Sequence, residues 1–303
     1  MRHACLLLML VTTMAPTAPS AQYARKSSVA HRGASAYAPE HTLASYRLAL
    51  DQGADFVEQD LAVTRDGVLV CLHDPSLERT TNVETLFPDR FTAIEIEGQT
   101  RKTWLANDFT LAEVKRLDAG SWFGPKFANE RVPTFDEAVA LVKGKAGLFP
   151  ELKTPEIYEG RDVRFEELVA AALDKHGLRG GRADPRTPVI LQTFGEASAR
   201  KLAQMRIGVP VVLLIGRPDG WDAARVKQWK GVVQGFGPAK DILRQLPDFV
   251  RWAHAEGLTV TPYTFRVGDL GAFPSLRAEM EHYLYTIGVD ALFTNNPDQF
   301  PRR

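Results

Sequence analysis

Short apolar or β-branched runs recur along the chain, beginning near Ser28, Phe56, Val68, Gly147, Val189, Val211, Val232, Thr259 and Ala291. Amphipathic stretches lie between them, and this alternation predicts parallel βαβ units. Phe165, Leu168, Val169, Ala172 and Leu173 keep the i, i+3, i+4 spacing of one helix face, and Gly177 supplies a stop. Thr134 with Glu137 has the form of a capping box ahead of Ala138, Leu141 and Val142. No linker-like tract and no internal repeat divides the chain, so a single α/β domain, a (β/α)8 TIM barrel, is expected over 25–303. The runs number one more than such a barrel needs. The dipeptide Asp66-Gly67 accounts for the extra one, because it predicts a hairpin between residues 56–64 and 68–73. A two-residue loop there would set Asp60 opposite His73, with Glu58 on the same face as Asp60. The stretch from Pro75 to Pro133 is too long for a barrel loop and has its own aromatic residues, Phe87, Phe91, Trp104, Phe109, Trp122 and Phe123. It reads as a small insertion, about 75–133, after the His73 strand and over the top of the barrel.

Composition narrows the function classes. Of the 303 residues 45% are apolar and 24% charged, which excludes disorder and fibre. Lys+Arg and Asp+Glu both number 37, so no global field exists to hold a nucleic-acid backbone. Near the amino terminus, Arg2 and His3 precede an apolar run from Ala4 to Val11, followed by small residues and prolines (Ala15, Pro16, Ala18, Pro19). That order predicts a secretory signal peptide over 1–24, with the cleavage point left open, and a secreted protein. The run falls short of the roughly 18 apolar residues of a spanning helix, so stable membrane insertion is not expected. Cys71 is then the one cysteine left in the mature chain. No disulfide scaffold is expected.

Polar side chains gather at the carboxyl ends of the predicted strands: His31 and Arg32, Glu58 and Asp60, His73 and Asp74, Glu151 and Lys153. That end is the catalytic end of a barrel. Glu58, Asp60 and Glu151 offer a hard, all-oxygen pocket that suits Ca²⁺ or Mg²⁺ better than Zn²⁺. Arg32 and Lys153 add positive charge for an anionic phosphate. His31 and His73 can exchange protons near neutral pH. Singly, each has a plainer explanation, since a Glu-x-Asp pair on a strand is more often a wet face than a ligand pair. What favours the site is that four strand ends deliver complementary chemistry to one rim.

Ala30-His31-Arg32-Gly33-Ala34-Ser35, Pro39-Glu40-His41-Thr42, Glu58-Gln59-Asp60-Leu61, Leu72-His73-Asp74, Pro150-Glu151-Leu152-Lys153 and Pro262-Tyr263-Thr264 stand in one order along the chain. Together they resemble the glycerophosphodiester phosphodiesterase family, most closely its periplasmic bacterial branch, from about Ser28 to Pro297. Asp108-Phe109-Thr110-Leu111 through Gly120-Ser121-Trp122-Phe123 looks like that family's inserted segment. The resemblance implies a barrel of the phospholipase-C-like phosphodiesterase type and a periplasmic location. It also implies hydrolysis of glycerophosphodiesters to sn-glycerol 3-phosphate and an alcohol, with one divalent cation. By position it makes Glu58, Asp60 and Glu151 the metal ligands, His31 and His73 the acid/base pair, and Arg32 and Lys153 the phosphate contacts. One departure stands out. The family usually has Thr-Asp before a residue and Pro, whereas this chain has Thr294-Asn295-Asn296-Pro297.

The expected route is attack by the substrate's own glycerol hydroxyl, giving a cyclic phosphate that water then opens. Which histidine acts first is open at this level, as is direct attack by metal-activated water. Two other functions compete: a lysophospholipase D-type enzyme on lipid, with Trp104, Trp122 and Phe123 against an acyl chain, and a non-catalytic binding protein on the same barrel.

Overall fold

The computed structural model describes residues 23–96 and 98–303, so nearly all of the segment expected as a signal peptide, 1–24, lies outside the described residues. Eleven strands are formed among the described residues: β1 (Ser27–Ala30), β2 (Phe56–Val63), β3 (Leu69–Cys71), β4 (Thr92–Ile96), β5 (Gln99–Thr103), β6 (Gly147–Leu152), β7 (Leu191–Thr193), β8 (Val211–Ile215), β9 (Gly235–Pro238), β10 (Thr259–Val260) and β11 (Ala291–Thr294). Eight of them pair in parallel in the order β10-β9-β8-β7-β6-β2-β1-β11. Beyond the ends of the ladder, Asp290 N–H donates to Val260 C=O, and Phe265 N–H to Phe293 C=O at 2.8 Å, which draws β11 against β10. The result is a nearly closed TIM barrel, as the alternation of runs predicts.

The interior is layered by the two-residue period of a strand. Val29, Phe56, Phe149, Ile190, Val212 and Phe293 form one apolar cluster inside the ring. Two residues further along the same strands the inward positions become His31, Glu58, Glu151, Gln192 and Asn295. An apolar plug therefore supports a polar floor. Tyr23 meets Phe56 edge-on beneath the plug and shares a 2.7 Å hydrogen bond with Thr261. Outward residues such as Val57, Leu61, Leu148, Leu191 and Leu213 pack beneath the surrounding helices in the main core.

The helices begin where the sequence supplies caps. Thr134 and Glu137 complete both halves of a capping box at Phe135–Val142. The 165–173 stripe forms the helix Phe165–Lys175, and Gly177 lies just beyond it at φ +60°.

The hairpin exists, with β3 pairing antiparallel to β2 outside the barrel path, but its register differs by one residue from the expected one. Leu61 faces Cys71 and Val63 faces Leu69, so Asp60 lies opposite Leu72 rather than His73, and Leu72 N–H donates to Asp60 C=O. The reason is the turn. Thr64 N–H bonds Val68 C=O around three residues, with Gly67 at φ +78°, and not around two. His73 nevertheless reaches the site, because the chain leaves the ladder after Cys71.

The inserted segment contains a two-stranded sheet, β4 with β5, that periodicity did not predict. Trp104, Phe109, Val114 and Leu117 form a second core with Ala62, Val70 and Leu72 of the hairpin, flanked by Phe87 and Phe91. Trp104 is thus core, whereas Trp122 is 44% exposed.

Candidate active site

A cavity of about 610 Å³ opens at the carboxyl ends of the strands, and its lining includes His31, Glu58, Asp60, His73, Glu151 and Lys153. Arg32 also lines it, so all seven residues given site roles from the sequence reach one chamber, whereas Asp74, Trp104, Trp122 and Phe123 are not in its lining. The loop after β1 makes this possible. Gly33 has φ +83°, and a Cβ there would stand 2.3 Å from Ser45 Oγ, so only glycine lets the chain fold back over the following helix. Arg32 itself is left-handed at φ 58° and donates its N–H to Glu58 Oε2 at 2.9 Å.

Glu58, Asp60 and Glu151 are each at most 3% exposed, and each offers an oxygen within 4.8 Å of the others. Glu58 Oε1 accepts from Gln192 Nε2 at 2.8 Å, and Glu151 lies 3.1 Å from the Lys153 ammonium. Asp60 Oδ1 is buried with no hydrogen-bond partner. Burial and the charge of Asp60 push Glu58 up to about 8, and the same causes in the same order raise Glu151 well above its ordinary value. Burial also acts to raise Asp60, but Lys153, His41 and Arg32 outweigh it and hold that carboxyl far below its usual range. Three carboxyls in so little space repel one another when ionised, and a cation among them relieves that repulsion. A buried, unpartnered carboxylate oxygen aimed among two further carboxyls is the donor set of a hard divalent cation. The residues present fit such an ion.

The two histidines are braced differently. His31 Nδ1 lies 2.7 Å from Asn295 Oδ1, and its Nε2 stands 3.8 Å from Glu58 Oε2. Burial, with Arg32 beside it, holds the His31 imidazole well below its ordinary pKa. His73 Nδ1 bonds Asp74 Oδ1 at 2.6 Å, and the other Asp74 oxygen accepts from Arg79 Nε. Arg79 then grips both oxygens of Glu40, at 3.0 and 2.6 Å, and Glu40 also accepts from Arg32 Nη1 at 3.0 Å.

Gln192, Glu40, Arg79, His41 and Asp74 were not assigned roles from the sequence. Gln192 carries a legible signal, an amide that directly follows the apolar run Val189-Ile190-Leu191. Arg79 carries none, since it lies on a loop whose course the sequence leaves undetermined.

The family model described as the glycerophosphoryl diester phosphodiesterase family matches residues 31–299. The chain belongs to that family. A glycerophosphodiester phosphodiesterase of Bacillus subtilis is 36% identical over 283 residues, covering 90% of this chain and 84% of its own. A glycerophosphodiester phosphodiesterase of Arabidopsis thaliana is 30% identical, with the same two coverages of 90% and 84%. Among solved structures, an Oleispira antarctica phosphodiesterase in complex with the product sn-glycerol-3-phosphate superposes with a TM-score of 0.67 at 27% identity, over 91% of this chain and 95% of its own. As a member of the glycerophosphoryl diester phosphodiesterase family the chain is an enzyme, a phosphoric diester hydrolase. Among the described residues, no helix is long and apolar enough to cross a membrane.

Proposed function

We propose that the protein hydrolyses glycerophosphodiesters to sn-glycerol 3-phosphate and an alcohol, with His31 as first base and His73 as first acid. The observation that carries this reading is the convergence of both histidines and all three buried acids on one chamber with Lys153 and Arg32. The named product in the Oleispira relative's complex supports the substrate class. Glu58, Asp60 and Glu151 would hold one divalent cation, Ca²⁺ in preference to Mg²⁺, which when bound supplies positive charge to the phosphate and acidifies the neighbouring hydroxyl. Lys153 and the free donors of Arg32 face the same space and suit the phosphate's remaining charge.

The roles of the histidines follow from their braces. A neutral amide oxygen on Nδ1 fixes the tautomer of His31 with Nε2 bare, the form a base requires, and burial keeps it so. The Asp74 carboxylate accepts from Nδ1 and fixes the His73 ring, which suits it to the part of acid. His31 takes the proton of the glycerol hydroxyl next to the phosphate. The hydroxyl oxygen bonds to phosphorus as the alcohol's oxygen leaves, and that oxygen receives its proton from His73. Water then opens the resulting cyclic phosphate with the two roles exchanged, which returns both histidines to their starting states. The leader-like residues 1–24 support an exported, periplasmic enzyme.

The test is a panel of glycerophosphocholine, glycerophosphoethanolamine and lysophosphatidylcholine, with glycerol 3-phosphate, alcohol and lysophosphatidate measured. Release of glycerol 3-phosphate from the first two is expected. Turnover confined to the lysolipid, with release of lysophosphatidate, would make the lysophospholipase D reading the correct one. No turnover of any of them would favour a binding protein.

A further inference from the structure

We infer that His41 is a positioning residue for the cation site, holding one oxygen of Asp60 so that the other faces Glu58 and Glu151. The inference rests on the reading of these three acids as cation ligands.

His41 is 3% exposed and Asp60 1% exposed, so His41 is packed behind the acid and away from the chamber. Its Nε2 lies 2.9 Å from Asp60 Oδ2, and its Nδ1 lies 2.8 Å from the Tyr46 hydroxyl. A carboxylate can only accept, so Nε2 carries the proton of the first bond; in a neutral ring Nδ1 is then an acceptor, and Tyr46 donates. The pair comes from one piece of local structure. Thr42 caps the helix Leu43–Asp51, His41 immediately precedes the cap, and Tyr46 sits one turn into the helix. The backbone of His41 is left-handed at φ 53°, and its N–H donates to Arg32 C=O at 3.1 Å, which turns the ring inward toward β2.

The consequence falls on Asp60. A carboxylate with two equivalent oxygens can turn about its last torsion and present either of them. Here Oδ2 is claimed by His41, with Arg32 Nε 3.6 Å away, whereas Oδ1 is buried and unclaimed. A buried polar atom left without a partner is unfavourable. The arrangement is coherent if that oxygen is kept for a ligand and the histidine prevents it from turning away. A histidine that merely filled the core would not leave its partner's second oxygen bare among two other carboxyls. Hydrogen-bonded supports of this kind raise ligand order and typically contribute 10- to 100-fold to metal affinity.

The experiment is calorimetric titration of Ca²⁺ into chelator-stripped full-length protein, together with the melting temperature of each variant with and without the ion. His41→Ala is expected to raise the dissociation constant by about 10- to 100-fold. His41→Gln, whose amide nitrogen can reach the position of Nε2, is expected to stay within about threefold of wild type. Tyr46→Phe removes only the brace and is expected to weaken binding by about three- to tenfold. A purely structural role would lower the melting temperature of the metal-free variants and leave their Ca²⁺ affinity unchanged, which overturns the inference. Should His41→Ala fail to fold, Tyr46→Phe decides in the same way, since wild-type affinity in that variant also overturns it. If wild-type protein itself binds neither Ca²⁺ nor Mg²⁺, the cation reading has failed, a result distinct from wild type and variants binding alike.

Discussion

Asp74 Oδ1 accepts the Nδ1 proton of His73 at 2.6 Å, while its second oxygen is held by Arg79. The side chain that orients the proposed acid is thus itself clamped, and through Glu40 the clamp continues to Arg32 on the other side of the chamber. This line of contacts ties the two proposed working loops, after β1 and after β3, to each other.

Asp74→Asn removes the carboxylate that holds Nδ1 of His73 but keeps the size of the side chain. Turnover of glycerophosphocholine is expected to fall on the order of 10²-fold or more, as for other losses of a positioned acid. Ca²⁺ affinity should stay unchanged, because Asp74 is not among the clustered acids. Steady-state kinetics beside a calcium titration check both halves, and near wild-type turnover would remove His73 from the proposed acid role.

Asn295 explains what the departure from Thr-Asp means physically, since it is the partner of His31. Asn295→Asp would put a carboxylate where a neutral amide oxygen lies 2.7 Å from Nδ1. A facing negative charge favours the protonated ring and raises the imidazole pKa. A base works unprotonated, so the acidic limb of kcat/KM should move to higher pH. Rate profiles of both proteins at saturating cation test this, and an unmoved limb counts against His31 as base.

Much of this site could be read from the chain because β-strand periodicity carries it. Val29 and His31, Phe149 and Glu151, Ile190 and Gln192, and Phe293 and Asn295 are each two residues apart, so knowing the plug locates the floor. Gln192 could have been found that way. The register of β2 against β3 could not, because Asp66-Gly67 suits two-residue and three-residue loops alike, and one residue decides which side chain opposes Asp60. Nor could Arg79, which meets Glu40 across 39 residues of sequence through loop geometry alone. His41 was visible within a motif, but its role depends on a left-handed backbone that the residue type does not announce.

Burial acts to raise the Glu40 carboxyl, but the hydrogen bond from Arg79 and the charge of Arg32 outweigh it and bring it down to about 2. A carboxyl whose folded pKa lies below its unfolded value gives stability that is complete above the unfolded pKa and is lost as pH falls through the folded one. Its contribution should therefore be full at neutral pH and disappear between about pH 5 and pH 2. Glu40→Gln is expected to lower the melting temperature at pH 7 and to flatten its dependence over that acid interval. Parallel curves for wild type and variant would show that Glu40 is not held as described.

The hydroxyl route makes a separate demand. A substrate analogue lacking the glycerol hydroxyl next to the phosphate should bind and fail to react, because intramolecular attack has an effective molarity of roughly 10⁵ M or more that external water would have to replace. If water attacks directly, the analogue loses only a binding contact of about 1–3 kcal/mol. Brisk turnover of the analogue with the same cation dependence would end the cyclic-phosphate account.

The central claim is that three buried acids hold the ion on which glycerophosphodiester hydrolysis depends, and one measurement reaches it directly. Glycerol 3-phosphate release from glycerophosphocholine is followed for wild type and Glu151→Gln, first in excess chelator and then across a calcium titration. Neither protein should release product in chelator, wild type should recover fully on adding Ca²⁺, and Glu151→Gln should recover only at substantially higher Ca²⁺ or not at all. Undiminished release by wild type in chelator would contradict the claim.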